Sequence, residues 1–202
     1  MEYTFYQYKT QRPVVQAAQK EKFCVKICVY CSSAQNLAPE LYAAGEAFGA
    51  ALARRGHTLV YGGYNAGLMG AVAQGAAQAG AEVIGVIPEI FDQEGAAPAG
   101  CTQVVHVGSM SQRKARMEAE ADAFAVLPGG IGTFDEFFET LVLKSLGQLD
   151  KPLAVYDLLG GCGPLRTLLE ASAAAGYMTA ETAALAPFYT DAGPLLDHLE
   201  GK

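Results

Sequence analysis

Short runs of apolar residues alternate along this chain with longer stretches in which apolar and polar residues are mixed. The runs are rich in Val, Ile and Ala, as at residues 25–30, 58–61 and 123–127. Continuously apolar strands are typical of a parallel sheet that is covered on both faces, and the longer stretches suit the covering helices. The pattern therefore predicts an α/β fold: a doubly wound (Rossmann-like), mostly parallel sheet with helices on both faces.

The predicted elements place the turns where function is expected. Predicted strands cover 25–30, 58–61, 82–87, 103–107, 123–127 and 152–156, and predicted helices cover 39–55, 68–78, 110–121, 134–146, 165–174 and about 194–199. Ligands of such folds bind beyond the carboxyl ends of the strands, so the turns that follow strands matter most. Residues 1–22 show no clear period, and we interpret them as an N-terminal extension to a single domain of residues 23–202.

Composition excludes several classes of protein. With 51% hydrophobic and 17% charged residues among 202, the chain can bury a substantial core. Its apolar runs end well before the roughly 20 residues that a membrane span needs, and its start does not read as a signal peptide, so we expect a cytoplasmic protein with no membrane partner. A net charge of −7 argues against a nucleic-acid partner, because neutralising phosphates requires clustered Lys and Arg.

Three of the five cysteines, Cys24, Cys28 and Cys31, have a C-x-x-x-C-x-x-C spacing that radical enzymes use to hold an iron–sulfur cluster. In a strand, however, Cys24 and Cys28 would lie about 13 Å apart, and Cys31 would face the other way. We therefore expect packed, reduced thiols and no cluster. The three histidines are scattered along the chain, so no metal site is predicted either.

The Gly-rich turn after the strand at 123–127 is the most informative one. Gly129, Gly130 and Gly132 let the backbone come close to a ligand, and Thr133 is placed to cap the next helix. The N–H groups of such a turn, together with the positive end of the helix, can bind an anion. The alternative is a tight strand-to-helix turn without a ligand, in which Glu136 is an ordinary acidic residue of the first helical turn.

Two other turns carry further candidate residues. Gly62, Gly63 and Gly67 form a second Gly-rich turn, but their spacing does not fit G-x-G-x-x-G, and no Walker sequence occurs in the chain, so NAD binding and ATP hydrolysis lose support. Arg113 and Lys114 follow a third turn, early in a helix. Cations there oppose the helix dipole, which favours a functional role, although an exposed helix face remains the alternative.

Taken together, these motifs resemble the Lonely Guy family, the cytokinin riboside 5′-monophosphate phosphoribohydrolases. Residues 128–136 fit P-G-G-x-G-T-x-x-E, and the stretches at 60–63 and 110–114 occur in the family's order. The resemblance covers about residues 25–180. It implies a nucleotide-binding domain, usually dimeric, that hydrolyses the N-glycosidic bond of an adenosine-type nucleoside 5′-monophosphate to free base and ribose 5-phosphate. No cofactor is expected.

By position, the resemblance assigns Arg113 and Glu136 as the catalytic pair. A carboxylate can stabilise an oxocarbenium-like transition state, hold ribose hydroxyls or activate water. Arg113 is left with two roles, binding the phosphate or stabilising the departing base. The remaining matched positions are expected to bind substrate or its phosphate: Ser32, Ser33, Gly62, Gly63, Gly67, Lys114, Gly129, Gly130, Gly132 and Thr133.

The chain also departs from the family's pattern. Tyr64 stands where the family often has a third Gly, and Leu143, Ser145 and Leu149 replace its usual Trp, Gln and His. Reaction type is therefore better supported than base identity, and we expect a looser base preference than in a dedicated cytokinin-activating enzyme. The apolar helix at 137–143 indicates burial by more than its own sheet, which together with the resemblance predicts a homodimer.

Other functions are compatible with the same scaffold. A non-catalytic protein that binds a nucleotide or a phosphorylated cofactor would keep the Gly-rich turns without needing both Arg113 and Glu136, so the pair favours an enzyme. Lysine decarboxylation is weaker still. That chemistry usually relies on pyridoxal phosphate held as a Schiff base, and neither Lys114 nor Lys144 has an evident partner for the pyridine nitrogen.

Overall fold

A parallel sheet of seven strands forms the centre of the molecule in a computed structural model, which describes residues 24–91 and 100–202. The strands are β1 (Lys26–Tyr30), β2 (Thr58–Tyr61), β3 (Val83–Pro88), β4 (Gln103–Val107), β5 (Ala123–Val126), β6 (Leu153–Tyr156) and β7 (Phe188–Tyr189). Their order is β4-β3-β2-β1-β5-β6-β7, and every pair is parallel. The strand order reverses between β1 and β5, and ligands of such sheets bind at that point.

Helices cover both faces of this sheet, as the apolar strands predict. They are α1 (Pro39–Arg54), α2 (Gly67–Gln78), α3 (Met110–Glu120), α4 (Ile131–Ser145), α5 (Gly163–Ala174), α6 (Ala180–Ala184) and α7 (Ala192–Leu199). Apolar side chains of α1, α2 and α7 pack on one face, and those of α3, α4 and α5 pack on the other. The predicted doubly wound α/β class is confirmed.

Most element boundaries agree with the prediction, and the differences are instructive. Strands β2 and β4 begin and end where they were expected, whereas α4 begins at Ile131 and not at residue 134. Helix α6 and the two-residue strand β7 were missed, because neither is long enough to show a period. The predicted extension at 1–22 lies outside the described residues.

Two of the three closely spaced cysteines are packed thiols. Cys28 belongs to the apolar cluster on one face of the sheet and Cys31 to the cluster on the other, while Cys24 is exposed. All five cysteines are free, and burial raises the pKa of the Cys28 thiol well above its ordinary value. The interpretation as packed thiols is therefore confirmed for Cys28 and Cys31, whereas it is wrong for Cys24, and only Cys28 lies within β1. In the described residues, no helix has both the length and the apolar character to cross a membrane.

Candidate active site at the carboxyl ends of the strands

The loops that follow β1 and β5 are joined at the point where the strand order reverses. The backbone N–H of Ser32 donates to the carbonyl oxygen of Pro128 (3.1 Å), and the Ser32 carbonyl accepts from the N–H of Met69 in α2 (2.9 Å). Ser32 thus connects the β1 loop both to the Gly-rich turn and to the second helix. Ser33 is exposed beside it.

Gly67 lets α2 begin directly against this loop. Its φ of +60° lies in the left-handed region, which residues other than glycine rarely adopt. A Cβ there would also lie 2.4 Å from the carbonyl oxygen of Ala34 and 2.7 Å from the carbonyl carbon of Ser33. The structure therefore brings Gly67 to the β1 loop, as the candidate site requires.

Arg113 and Glu136 form an ion pair that is almost removed from solvent. The Nη1 of Arg113 in α3 donates to Oε1 of Glu136 in α4 at 3.0 Å, and the two side chains are 9% and 6% exposed. The Nε of Arg113 donates to the carbonyl oxygen of Val86 in β3 (3.2 Å), which fixes the plane of the guanidinium. The two residues predicted as a pair are in direct contact although they lie on different helices.

Burial makes Glu136 a weaker acid than an exposed glutamate. It raises the pKa of this carboxyl to about 7, despite the opposing charge of Arg113. The reason is that desolvation penalises the charged form more than one buried cation compensates. A carboxyl with a pKa near neutrality is typical of groups that exchange protons or develop charge during a reaction.

The burial of Arg113 depends on Gly62. A Cβ on Gly62 would lie 1.6 Å from Nη2 of Arg113, so any side chain there would displace the guanidinium. The next residue, Gly63, has a φ of +75°, and its missing Cβ would meet Ile87 at 2.3 Å. The second Gly-rich turn therefore makes room for the cation of the pair at Gly62.

The turn after β5 differs from the prediction in one respect. Thr133 does not cap α4: the helix begins at Ile131 with Gly130 at its N-cap, and Thr133 is a buried residue inside the first turn. Gly129 accommodates it, since a Cβ on Gly129 would lie 2.1 Å from the Thr133 hydroxyl oxygen. The capping prediction was wrong because the glycines suggest that the loop extends to residue 132, whereas the helix already begins at Ile131.

The two helices that carry the ion pair begin differently. The Ser109 hydroxyl caps α3 by accepting from the N–H of Gln112 (3.2 Å), whereas no side chain caps α4. Gly130 and Gly132 are exposed there, and a Cβ on either would meet no atom within 4 Å. The start of α4 is therefore open, with its first N–H groups available to a group brought from outside.

Lys114 is engaged by carboxylates. Its Nζ lies 3.0 Å from Oδ2 of Asp135 and 2.7 Å from Oε2 of Glu139, one turn apart on α4. Asp135 therefore points away from Arg113, as its position on the helix predicts. This pairing was not predicted from the sequence, although two acidic residues at an i,i+4 spacing on one helix are a recognisable signal for a cation partner.

The three positions that were expected to govern base preference lie away from the Arg113–Glu136 pair in this chain. They fall at or beyond the C-terminal end of α4, whereas Glu136 lies near its start. Leu149 is buried in the apolar core, and the Ser145 hydroxyl donates to the carbonyl of Val142 in its own helix (2.8 Å). Leu143 is about 10 Å from Glu136 along the helix axis. The basis of the base-preference prediction is not seen in the single chain.

Two buried hydroxyl groups behind Glu136 were also not predicted from the sequence. Thr140 donates to the backbone carbonyl of Glu136 (2.9 Å), and the Tyr30 hydroxyl lies 3.2 Å from the Thr140 hydroxyl oxygen. Both side chains are buried in an otherwise apolar cluster. Their signals were a polar residue inside an apolar helical run and a Tyr at the end of a buried strand. Within the described residues, no group of three or more His, Cys, Asp or Glu side chains is placed to hold a metal ion.

Comparison with known sequences finds several relatives that carry the same enzyme name. A family profile described as "Possible lysine decarboxylase" matches residues 69–199. A cytokinin riboside 5′-monophosphate phosphoribohydrolase of Rhodococcoides fascians is 38% identical over 82% of this chain and 84% of its own length. The corresponding protein of Mycobacterium tuberculosis is 39% identical over 76% and 81%. A probable enzyme of the same name from Oryza sativa subsp. japonica is 38% identical over 77% and 70%.

Solved structures share the fold at lower identity. The molybdenum cofactor binding protein of Rippkaea orientalis superposes with a TM-score of 0.65 at 17% identity, covering 88% of this chain and 96% of that one. The molybdenum cofactor carrier protein of Chlamydomonas reinhardtii gives 0.65 at 20% identity, covering 88% and 99%. At such identities the likeness shows the fold alone.

Proposed function

This chain belongs to the Lonely Guy family of cytokinin riboside 5′-monophosphate phosphoribohydrolases, and we propose that it hydrolyses the N-glycosidic bond of adenosine-type nucleoside 5′-monophosphates. The C1′–N bond breaks, water supplies the oxygen that bonds to C1′, and the departing base takes up a proton. The products are free base and ribose 5-phosphate. The observation that carries the proposal is the buried Arg113–Glu136 pair at the end of the sheet where strand order reverses.

Glu136 is proposed as the carboxylate that stabilises the oxocarbenium-like transition state. Its ionised form is costly in the free protein, because burial raises its pKa to about 7. Positive charge that develops on the ribose offsets this cost, so the interaction is stronger in the transition state than in the ground state. Arg113 already holds the carboxylate in place and has further N–H donors for the phosphate or the departing base.

The phosphate is proposed to bind at the start of α4. Uncapped N–H groups, the open positions of Gly130 and Gly132, and the adjacent loop of Ser32 and Ser33 support this assignment. Gly129 and Thr133 shape the turn from behind. Lys114 is already paired with Asp135 and Glu139, so it is the weakest member of the proposed set.

A non-catalytic binding protein is the second candidate, because carriers of a phosphorylated cofactor share the fold. The ion pair argues against it. Burying two charges costs several kcal/mol per ion before their attraction is counted, and a carrier does not need such an arrangement beside its ligand. The free thiols agree with the reducing environment of a cytoplasmic protein, the location that we propose.

A homodimer is proposed from the outer face of α4. Ile131, Val142 and Leu146 are exposed there, although all three are large apolar residues. At 100° per residue they fall within about 60° of one another round the helix, with Ile131 at its start and Val142 and Leu146 at its end. A second copy of the chain is the proposed cover. Light scattering should give twice the chain mass of 21.2 kDa at micromolar concentration, and a monomer mass would reject the dimer.

Incubation with a panel of nucleoside monophosphates and nucleosides tests the function. Chromatography should show free base and ribose 5-phosphate from AMP or an N6-substituted relative, and far slower release from the corresponding nucleoside. Binding energy from the phosphate is used to position the scissile bond, so its loss reduces turnover as well as affinity. Equal rates on AMP and adenosine would contradict the phosphate site, and nucleotide binding without products would favour the carrier.

A further inference from the structure

Two hydroxyl groups form a buried chain from the central strand to the helix that carries Glu136. Tyr30 is the last residue of β1, and Thr140 lies one helical turn after Glu136 in α4. The Thr140 hydroxyl donates to the Glu136 carbonyl (2.9 Å), so its oxygen is left to accept. The Tyr30 hydroxyl, 3.2 Å away, is then the donor to Thr140.

Burying these two hydroxyl groups costs folding free energy. Tyr30 is 4% exposed and Thr140 is 3% exposed, among the side chains of Phe124, Phe137 and Val126. Burying a hydroxyl disfavours folding unless it is paired, and an apolar pair of similar size would pack there without that requirement. Burial also raises the pKa of Tyr30 well above its ordinary value, so its hydroxyl remains a donor at every physiological pH. A role beyond packing is therefore indicated.

The contacts of the two hydroxyl groups show which part of the molecule they restrain. A Thr that bonds to the carbonyl four residues earlier tends to bend its helix, and here that carbonyl belongs to Glu136 itself. The Tyr30 ring is held in turn by stacking on Phe124 of β5, with ring centroids 5.8 Å apart. The first turns of α4 are thus tied to the sheet at the residue whose carboxylate must meet Arg113.

We propose that Tyr30 and Thr140 are positioning residues that hold the Glu136 carboxylate against Arg113. Neither acts on the substrate. The inference rests on the proposed function for its kinetic consequence, but the restraint on Glu136 exists whether or not the protein is an enzyme. Because misplacement of a reacting group by about 1 Å can cost up to 10²-fold in rate, a small loosening of α4 has a measurable effect.

Tyr30→Phe removes the donor and keeps the ring. It should lower kcat on AMP by about 10-fold while KM changes less than about threefold, because binding through the phosphate is untouched. Thr140→Val should behave alike, and the double variant should be no slower than either single one, since both act through one hydrogen-bonded chain. Thr140→Ser, which keeps the hydroxyl, should restore most of kcat.

The decisive readout does not need activity. In protein labelled with ¹³C at glutamate carboxyls, with the Glu136 signal assigned from Glu136→Gln, the titration midpoint should rise by about half a pH unit or more in Tyr30→Phe. Burial is the main cause of the raised Glu136 pKa, and Tyr30→Phe keeps it because the ring remains; the looser contact weakens only the opposing, lowering effect of Arg113. Should the wild type release no base from AMP, the proposed function fails, and this titration still tests the positioning.

Tyr61→Phe is the matched control. Tyr61 is the last residue of β2 as Tyr30 is of β1, it is buried, and its hydroxyl lies 3.2 Å from Sγ of Cys101. It should cost similar thermal stability and leave both kcat and the Glu136 titration unchanged. An unchanged titration in Tyr30→Phe, or an equal change in Tyr61→Phe, would overturn the proposal and leave packing as the role of the two hydroxyls.

Discussion

Glu136 and Glu200 are both shielded from solvent at the two opposite ends of one parallel sheet, yet their acidities differ by orders of magnitude. Glu136 stands at the carboxyl end, where burial raises its pKa to about 7. Glu200 stands at the amino end with a side chain equally little exposed. Burial raises the pKa of Glu200 as well, but hydrogen bonds from Lys202, Arg55 and His57 outweigh burial and lower it to about 2.

Two factors explain the contrast: the carboxyl group of Glu136 lies deeper in the protein, and Glu200 has more hydrogen-bond donors. His57 accepts the N–H of Val25 at Nδ1, so its Nε2 carries the hydrogen that faces Oε1 of Glu200 at 2.8 Å, and Arg55 reaches the same oxygen at 2.9 Å. Among the described residues, one side chain, Arg113, donates to Glu136. At the amino end, the hydrogen-bonding capacity of the Glu200 carboxylate is used within the protein and stabilises the fold. At the carboxyl end, the Glu136 carboxylate can still accept hydrogen bonds from a ligand.

Removing the charge of Glu136 should have the largest effect on activity. Glu136→Gln keeps the size of the side chain and an acceptor for Arg113, but it removes the negative charge that an oxocarbenium-like state requires. Turnover of AMP should fall by roughly 10²-fold or more while nucleotide binding persists. Steady-state kinetics and calorimetry measure the two quantities.

The control for this substitution is its neighbour on α4. Asp135→Asn should retain most of the activity, because Asp135 faces Lys114 and not Arg113. If Glu136→Gln turned over AMP at the wild-type rate, or if Asp135→Asn alone abolished turnover, Glu136 would not be the reacting carboxylate.

Substitution of the cation should separate its two possible roles. Arg113→Ala should lower turnover by about 10- to 10²-fold, because it leaves Glu136 without its positioning partner. Weaker binding of ribose 5-phosphate would assign Arg113 to the phosphate, and unchanged binding would assign it to the departing base. Arg55→Ala is the counterpart at the amino end, where we expect a loss of stability without a loss of turnover at 25 °C.

Gly62→Ala should reduce turnover by about 10-fold through Arg113. The added Cβ would lie 1.6 Å from Nη2, so the guanidinium must move away from Glu136. Gly193→Ala is a comparable change at the other end, where the nearest atom to a new Cβ is Nη2 of Arg55 at 3.9 Å. That variant should keep full activity. Equal kinetics for both alanine variants would show that the glycine does not shape the site.

The smallest effect concerns stability at acid pH. A carboxyl whose pKa is lowered on folding stabilises the protein above its ordinary pKa of 4.5, and this contribution is lost as the pH falls towards 2. Glu200→Gln should therefore lower the free energy of unfolding by on the order of 2 kcal/mol at pH 6, with the difference vanishing near pH 2. Activity at pH 7 should stay within about twofold of the wild type. A constant difference across this range would contradict the lowered pKa.

Much of this architecture could be predicted from the sequence because it depends on local pattern. Buried parallel strands need unbroken apolar runs, which is why β2 was placed without error. The start of α4 was misplaced because Gly129, Gly130 and Gly132 disfavour a helix locally, whereas the sheet and the buried Thr133 hold the chain in one. Short β7 exists only because β6 offers it an edge.

The residues of the candidate site could be proposed from the sequence, but their burial and acidity could not. The motif at 128–136 led to Glu136, and the early cation led to Arg113. The pattern did not show that Arg113 is buried, because that depends on Gly62, distant in sequence and adjacent in space. Nor did it show the Tyr30–Thr140 contact, which links residues 110 positions apart. A pKa depends on burial and partners, and these exist only in the folded chain.

The pH dependence of kcat/KM on AMP, measured for the wild type beside Glu136→Gln, tests the central claim most directly. If the ionised Glu136 is the reacting carboxylate, the wild-type profile should rise through a pKa near 7 in the free protein. The residual activity of Glu136→Gln should lack this limb and show only ionisation of the substrate phosphate, near pH 6. A wild-type profile that is flat between pH 5 and 9, or a limb near 7 that persists in the variant, would contradict the account.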